Sequence, residues 1–227
     1  MGKNLSASAD RSTSREEKLR RVLDKRQPTL TVVLENVHDP HNIAAVLRSC
    51  DAVGIMEICA VYHSGQHFPN LGNLNEEEQG IIARKLSGSS TKKLSGKKSS
   101  AGTRKWVDIR RFSSIEECYS ALRSEGKKIY STFFSAESVS LYSLNLIVPV
   151  ALVFGNEQEG VTPPAVELAD GNFLIPQYGM GQSLNISVAC AVSIFEACRQ
   201  RMSAGMFDQP QLTSAHYTTV LDEWLSR

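Results

Sequence analysis

The sequence has no apolar run near the roughly 18 residues that a membrane span needs, so no membrane association is expected. Its polar start carries no signal-peptide core. Five cysteines, Cys50, Cys59, Cys118, Cys190 and Cys198, form an odd set without CxxC spacing. That disfavours a disulfide framework and points to free thiols in a reducing, cytoplasmic compartment. His38, His41, His63 and His67 are loosely spaced, but no Cys or carboxylate set completes a metal site, so no metal is expected. Familiar nucleotide motifs are also missing. Gly155 to Gly160 is not followed by Lys-Ser/Thr, and no GxGxxG follows the first strand. No Ser-His-Asp constellation and no internal repeat is readable.

Charge of one sign is not in excess either. The net charge is +1, so the whole-molecule field does not announce a nucleic-acid binder. The distribution is less even. Residues 84–111 carry ten Lys/Arg and one acid, Asp108; residues 15–26 carry six basic and three acidic side chains. A nearly neutral protein can therefore present a basic patch. At 227 residues, 41% apolar and 22% charged, the chain suits one sizeable α/β core with appendages.

Residues 1–27 are polar and basic, with a short exposed helix expected over 15–26 and closed by Pro28. Strand and helix then alternate: strand 30–34, helix 42–52, strand 56–61. Residues 64–105 form a long loop rich in Ser, Gly and Lys, with a helical turn around 76–86. A strand follows over 106–109. Ser114 and Glu117 make a capping box for a helix that Gly126 ends. Strands over 129–134 and 149–154 flank an irregular stretch. Thr162-Pro163 starts a short helix, 172–175 is a strand, and a helix runs from Leu184 to Arg201. Tyr217, Val220, Leu221, Trp224 and Leu225 fall on one face of a last helix. The alternation predicts an α/β fold with a mostly parallel sheet and helices on both faces. The body spans 28–205, with helical extensions at 1–27 and 206–227.

In such sheets ligands sit beyond the carboxyl ends of the strands. Three of those ends are polar: Glu35 to Asn42 leading into a helix that carries Arg48, Gly155 to Gly160, and Pro176 to Ser187. The last is unusual. Ser183, Asn185 and Ser187 sit in an otherwise apolar helix start, which packing alone does not require. Each feature also has a plain reading. Asn42 and Ser183 fit helix N-caps, Arg48 a solvated helix residue, Gly155 and Gly160 turn glycines, and Glu157 an exposed turn acid.

Together, "ENVHDPHNIAAVLRSCDAVGI" at 35–55, "ALVFGNEQEGVT" at 151–162 and "IPQYGMGQSLNISVACAVSIFEACRQR" at 175–201 resemble the SpoU family of RNA ribose 2′-O-methyltransferases, within the SPOUT superfamily. Content and order both agree, across roughly residues 15–210. The resemblance implies a deep C-terminal trefoil knot, which periodicity does not reveal. It also implies a homodimer, S-adenosylmethionine as cofactor, and tRNA as substrate, with the D-loop guanosine as target. A ribosomal-RNA methyltransferase of the same family is the nearest alternative. A catalytically silent RNA-binding protein on the same scaffold is a second.

Carried over by motif, Asn42, Arg48, Glu157, Ser183 and Asn185 are the catalytic candidates. Thr132, Gly155, Asn156, Glu157, Ile175, Met180 and Leu184 are expected around the cofactor. Arg15, Arg20, Arg26, His41, Arg199 and Arg201 are expected to face RNA. The family scheme uses the Arg as a base. A guanidinium stays protonated in proteins, so Arg48 is better read as holding phosphate and stabilising developing alkoxide charge. Asn42 and Arg48 are six residues apart, off one helix face, so folding has to bring them together. Two departures stand out: Gly181, where relatives often carry an apolar residue, and the long basic loop over 64–105.

Overall fold

Leu30–Glu35 is fully buried along its whole length, and it forms the central strand, β1. The computed structural model describes residues 4–63, 106–181 and 183–227. The expected loop over 64–105, with its helical turn, lies outside the described residues, as does Gln182. Around β1 run β2 (Glu57–Val61), β3 (Asp108–Phe112), β4 (Lys128–Thr132), β5 (Val139–Ser140), β6 (Val150–Phe154) and β7 (Gly171–Leu174). They form one seven-stranded sheet in the order β3-β2-β1-β6-β4-β7-β5, and every pairing is parallel.

The helices are α1 (Asn4–Leu23), α2 (Pro40–Ala52), α3 (Ile115–Ser124), α4 (Pro163–Glu167), α5 (Ile186–Ser203) and α6 (Ser214–Ser226). Alternation along β1 sorts them to two faces. Val32 and Leu34 join a core with Ile43, Leu47, Ile186 and Ile194, from α2 and α5. Val33, between them, joins a core with Cys118, Tyr119, Leu122 and Ala165, from α3 and α4. Helices therefore cover both faces, as the sequence predicts. Burying both faces is why β1 and β6 read as continuous apolar runs. A third cluster joins the two ends of the chain: Leu19 and Leu23 of α1 pack with Val220, Leu221 and Trp224 of α6.

Several boundaries differ from the sequence reading. Strand β3 starts at Asp108, and Trp106 before it packs its ring on that of Trp224, centroids 4.8 Å apart and tilted by 57°. Strand β5 and a 3-10 turn, Leu141–Ser143, occupy the stretch expected to be irregular; two residues are too few to show alternation. Helix α1 starts earlier than expected, at Asn4, and ends at Leu23, where a tightened turn through Asp24 to Arg26 carries the chain into β1. Ser114 accepts from the Glu117 amide, and Gly126 takes φ 74, as the capping reading requires.

Parallel register brings the strand ends level. Leu34 pairs with Phe154, Ser131 with Val153, and Thr132 with Phe173. The chain thus leaves β1, β6, β4 and β7 at Asn36, Gly155, Phe133 and Ile175 on one edge of the sheet, and all three signature segments meet there.

Candidate functional site

Asp39, not Asn42, caps α2: its carboxylate accepts from the His41 amide, and Pro40 fills the first turn. Asn42 is thereby spared the capping role and is buried facing the sheet edge. Its Nδ2 donates to Glu157 Oε1 at 2.7 Å, and its Oδ1 accepts from Asn185 Nδ2 at 3.1 Å. Asn185 in turn caps α5, its Oδ1 accepting from the Ser187 amide at 2.9 Å and the Ser187 hydroxyl at 2.6 Å. That cap starts the helix at Ile186 rather than Leu184. One chain of side-chain hydrogen bonds thus joins the three segments, and Asn42 is its centre.

Glu157 rides on a loop closed by paired backbone bonds between Asn156 and Gly160, both 2.9 Å. Gly155 sits against that closure. A Cβ there would lie 2.1 Å from the Gly160 carbonyl, so no side chain fits. Asn156 anchors the loop, its Nδ2 donating to the Asn36 carbonyl at 2.8 Å and its Oδ1 accepting from the Gln158 amide at 2.7 Å. Asn36 adopts φ 53, a left-handed conformation that Asn tolerates better than most residues. Tyr62, which the sequence reading passed over, donates to the Val37 carbonyl at 2.5 Å. Burial pushes its phenol well above the ordinary range, with Arg111 opposing and Glu157 adding to the rise, so Tyr62 is a neutral donor.

The cofactor candidates gather on the same edge. Thr132 ends β4 and donates its hydroxyl to the Val153 carbonyl at 2.9 Å, and Ile175 packs against the core. Met180 and Leu184 are exposed, together with Tyr178, Phe133 and Phe134. Among the described residues of 175–184, no backbone group pairs with another backbone group outside the regular helices and strands. An apolar rim beside a polar loop suits a ligand that carries both an aromatic base and an amino-acid end. Among the described residues, no group of three or more His, Cys, Asp or Glu is placed to hold a metal.

The remaining candidates separate. Ser183 is exposed, its hydroxyl without a partner among the described residues. Arg48 is exposed on α2, about 240° around the helix from Asn42, so the two do not meet within one chain. Arg15, Arg20, His41 and Arg199 lie on the surface, with Arg20 paired to Glu16 and Arg199 to Glu196. Arg26 and Arg201 are a correction: both are 0% exposed and cannot face RNA. Arg26 pairs with Asp51 at 2.5 Å and lies over the Trp224 ring. Arg201 donates to the carbonyls of Leu146, Val148 and Thr29 and to the side chains of Gln27 and Thr29. Burial pushes its guanidinium down to about 10, still charged at neutral pH.

The sequence matches the SpoU rRNA Methylase family over residues 79–195. The chain belongs to the SpoU methylase family. It is 38% identical over 218 residues to the tRNA (guanosine(18)-2'-O)-methyltransferase of Thermus thermophilus, covering 96% of this chain and 99% of that relative. Its fold is similar to the crystal structure of a TrmH/SpoU tRNA modifying enzyme from A. aeolicus. The TM-score is 0.75 and the identity 34%, over 95% of this chain and 96% of that one. An AdoMet-bound rRNA methyltransferase from Sinorhizobium meliloti superposes with TM-score 0.57 at 27% identity, over 79% of this chain and 59% of that one. Within this SpoU chain, the residues joined through Asn42 come one from each of the three signature segments.

Proposed function

We infer that the protein transfers a methyl group from S-adenosylmethionine to a ribose 2′-hydroxyl of tRNA, at the D-loop guanosine. The observation that carries this reading is the Asn42-centred chain, which assembles Glu157 and Asn185 at the edge where Gly155, Ile175 and Leu184 lie. Near-complete coverage of a tRNA-modifying relative supports tRNA over ribosomal RNA, since the rRNA enzyme is matched over 59% of its length.

When bound, S-adenosylmethionine supplies a sulfonium methyl already activated for transfer to oxygen. The protein's task is to align that methyl with a poor nucleophile and to manage its proton. Gly155 and the backbone of 175–181, 183 and 184 would hold the cofactor, and Met180 and Leu184 would cover it. Asn42 holds one Glu157 oxygen, leaving Oε2 to accept the 2′-hydroxyl proton. Ser183 hydrogen-bonds the reacting ribose. Arg48 binds a neighbouring phosphate and stabilises charge growing on the ribose oxygen.

Since Arg48 points away from Asn42, it acts on the site of a second copy. Support comes from α5, where Val188, Phe195 and Met202 form an exposed apolar stripe at heptad spacing, beside α2. The trefoil knot is carried over from the family, and the order in which β6 lies between β1 and β4 is compatible with it. The α1–α6 layer forms the extension beside the 28–205 body, and exposed Arg15, Arg20, His41 and Arg199 contact tRNA. Free cysteines, and the absence among the described residues of any helix long and apolar enough to cross a membrane, support a cytoplasmic site of action.

The test is isotopic methyl transfer to a defined tRNA transcript and to ribosomal RNA in parallel, with the modified nucleotide mapped. Label on the D-loop guanosine ribose is expected. Label on ribosomal RNA alone favours the alternative, and cofactor binding without transfer favours a silent RNA binder.

A further inference from the structure

Glu35 ends β1 with its side chain fully buried, a costly place for a carboxylate. Its Oε2 accepts from the Thr162 amide at 2.9 Å, and its Oε1 accepts from the Thr162 hydroxyl at 2.6 Å. His63 Nε2 lies 3.1 Å from the same Oε1. The next residue, Asn36, receives Asn156 through its carbonyl at 2.8 Å. The Glu35-Asn36 pair therefore fastens the 155–162 loop at both ends, Asn156 at the start and Thr162 at the finish. Glu157 projects from the span between them. Thr162 also caps α4, its hydroxyl oxygen accepting from the Ala165 amide, so the tether reaches a fixed element. An apolar residue at position 35 would fill the strand end without a buried charge, but it would accept neither Thr162 bond.

We propose that Glu35 is a positioning residue for methyl transfer, holding the 155–162 loop through Thr162 so that Glu157 meets Asn42. This rests on the reading of Glu157 and Asn42 as methyl-transfer groups. Glu35 is fully buried and acts through Glu157 rather than on the substrate. A small shift of an aligned group is enough to cost most of the rate.

The test uses the full chain, a tRNA transcript and labelled S-adenosylmethionine. E35M keeps the length of the side chain but accepts from neither the Thr162 amide nor its hydroxyl. Its kcat is expected to fall about 10- to 100-fold with the KM for tRNA unchanged. In an E157Q background the same substitution should cost nothing further, because the two residues act in series. T162V, at a half-buried position, should reproduce the loss, and T162S should recover most of it. An active wild type whose E35M and T162V variants keep full kcat overturns the positioning role alone. So does a loss of equal size with and without Glu157. A wild type inactive on every RNA overturns the methyltransferase reading and the positioning role with it.

Discussion

The Asn42 amide donates to the Glu157 carboxylate at 2.7 Å, and this bond ties the start of α2 to the loop after β6. It fixes which Glu157 oxygen is occupied, Oε1. Asn42→Asp replaces the donor with a second carboxylate against Glu157, so the two repel and the loop shifts. The expected loss is about 100-fold in kcat or more, in the range seen when an aligned polar group is removed. Cofactor binding by calorimetry should change much less. Equal loss in both would place Asn42 in cofactor binding instead.

Gly155 and Gly160 make a matched pair of substitutions. A Cβ at Gly155 meets the Gly160 carbonyl at 2.1 Å, and that neighbour is backbone, which cannot swing aside. Gly155→Ala should force the loop open and lower cofactor affinity tenfold or more. Gly160 has φ 71 with nothing within 4 Å of its added Cβ. Gly160→Ala therefore carries only the left-handed backbone cost, about 1 kcal/mol. Titration calorimetry on both variants separates steric closure from local strain.

Much of this was legible in the sequence. Continuous apolar runs marked β1 and β6 because both faces are covered, and Ser114 and Thr162 announced their helices by capping chemistry. Strand β3 was misplaced because an edge strand tolerates the charges of Asp108, Arg110 and Arg111, which hide its alternation. At the site, loop composition pointed to Asn42, Glu157 and Asn185. It did not reveal that Asp39 would cap α2 in place of Asn42. The roles of Glu35 and Tyr62 are not legible in spacing because they depend on Thr162 and Val37, partners across a strand end or in a neighbouring loop. Arg26 and Arg201 misled because a basic residue near a helix end reads as solvated until its acceptors are known.

Arg48 and Asn42 lie on different faces of α2, so a site that needs both draws them from two chains. Arg48→Ala and Asn42→Ala proteins should each keep the fold and lose most turnover. Mixed and allowed to exchange subunits, they should regain activity that neither has alone, since one hybrid site holds an intact set. No recovery would mean that Arg48 serves its own chain or none. Phe195→Glu, on the exposed stripe of α5, should yield a monomer by sedimentation and lose activity without unfolding.

The basic residues divide by burial, and the division makes opposite predictions. Arg15, Lys18 and Arg21 are exposed on α1. Replacing all three with Gln should weaken tRNA binding and flatten its salt dependence by about 2–3 in log-log slope, one phosphate contact being lost for each. Melting temperature should barely move, because exposed charges contribute little to stability. Arg201→Ala should do the reverse. Five acceptors around it lose their donor in a buried space, a cost of about 3–5 kcal/mol. For a chain of this size that lowers the melting temperature by roughly 10 °C. Arg201→Lys should recover little, since one ammonium cannot span carbonyls that the guanidinium fork reaches together. In the folded Arg201 variants the salt slope for tRNA should match wild type. A flattened slope there would return Arg201 to the RNA surface.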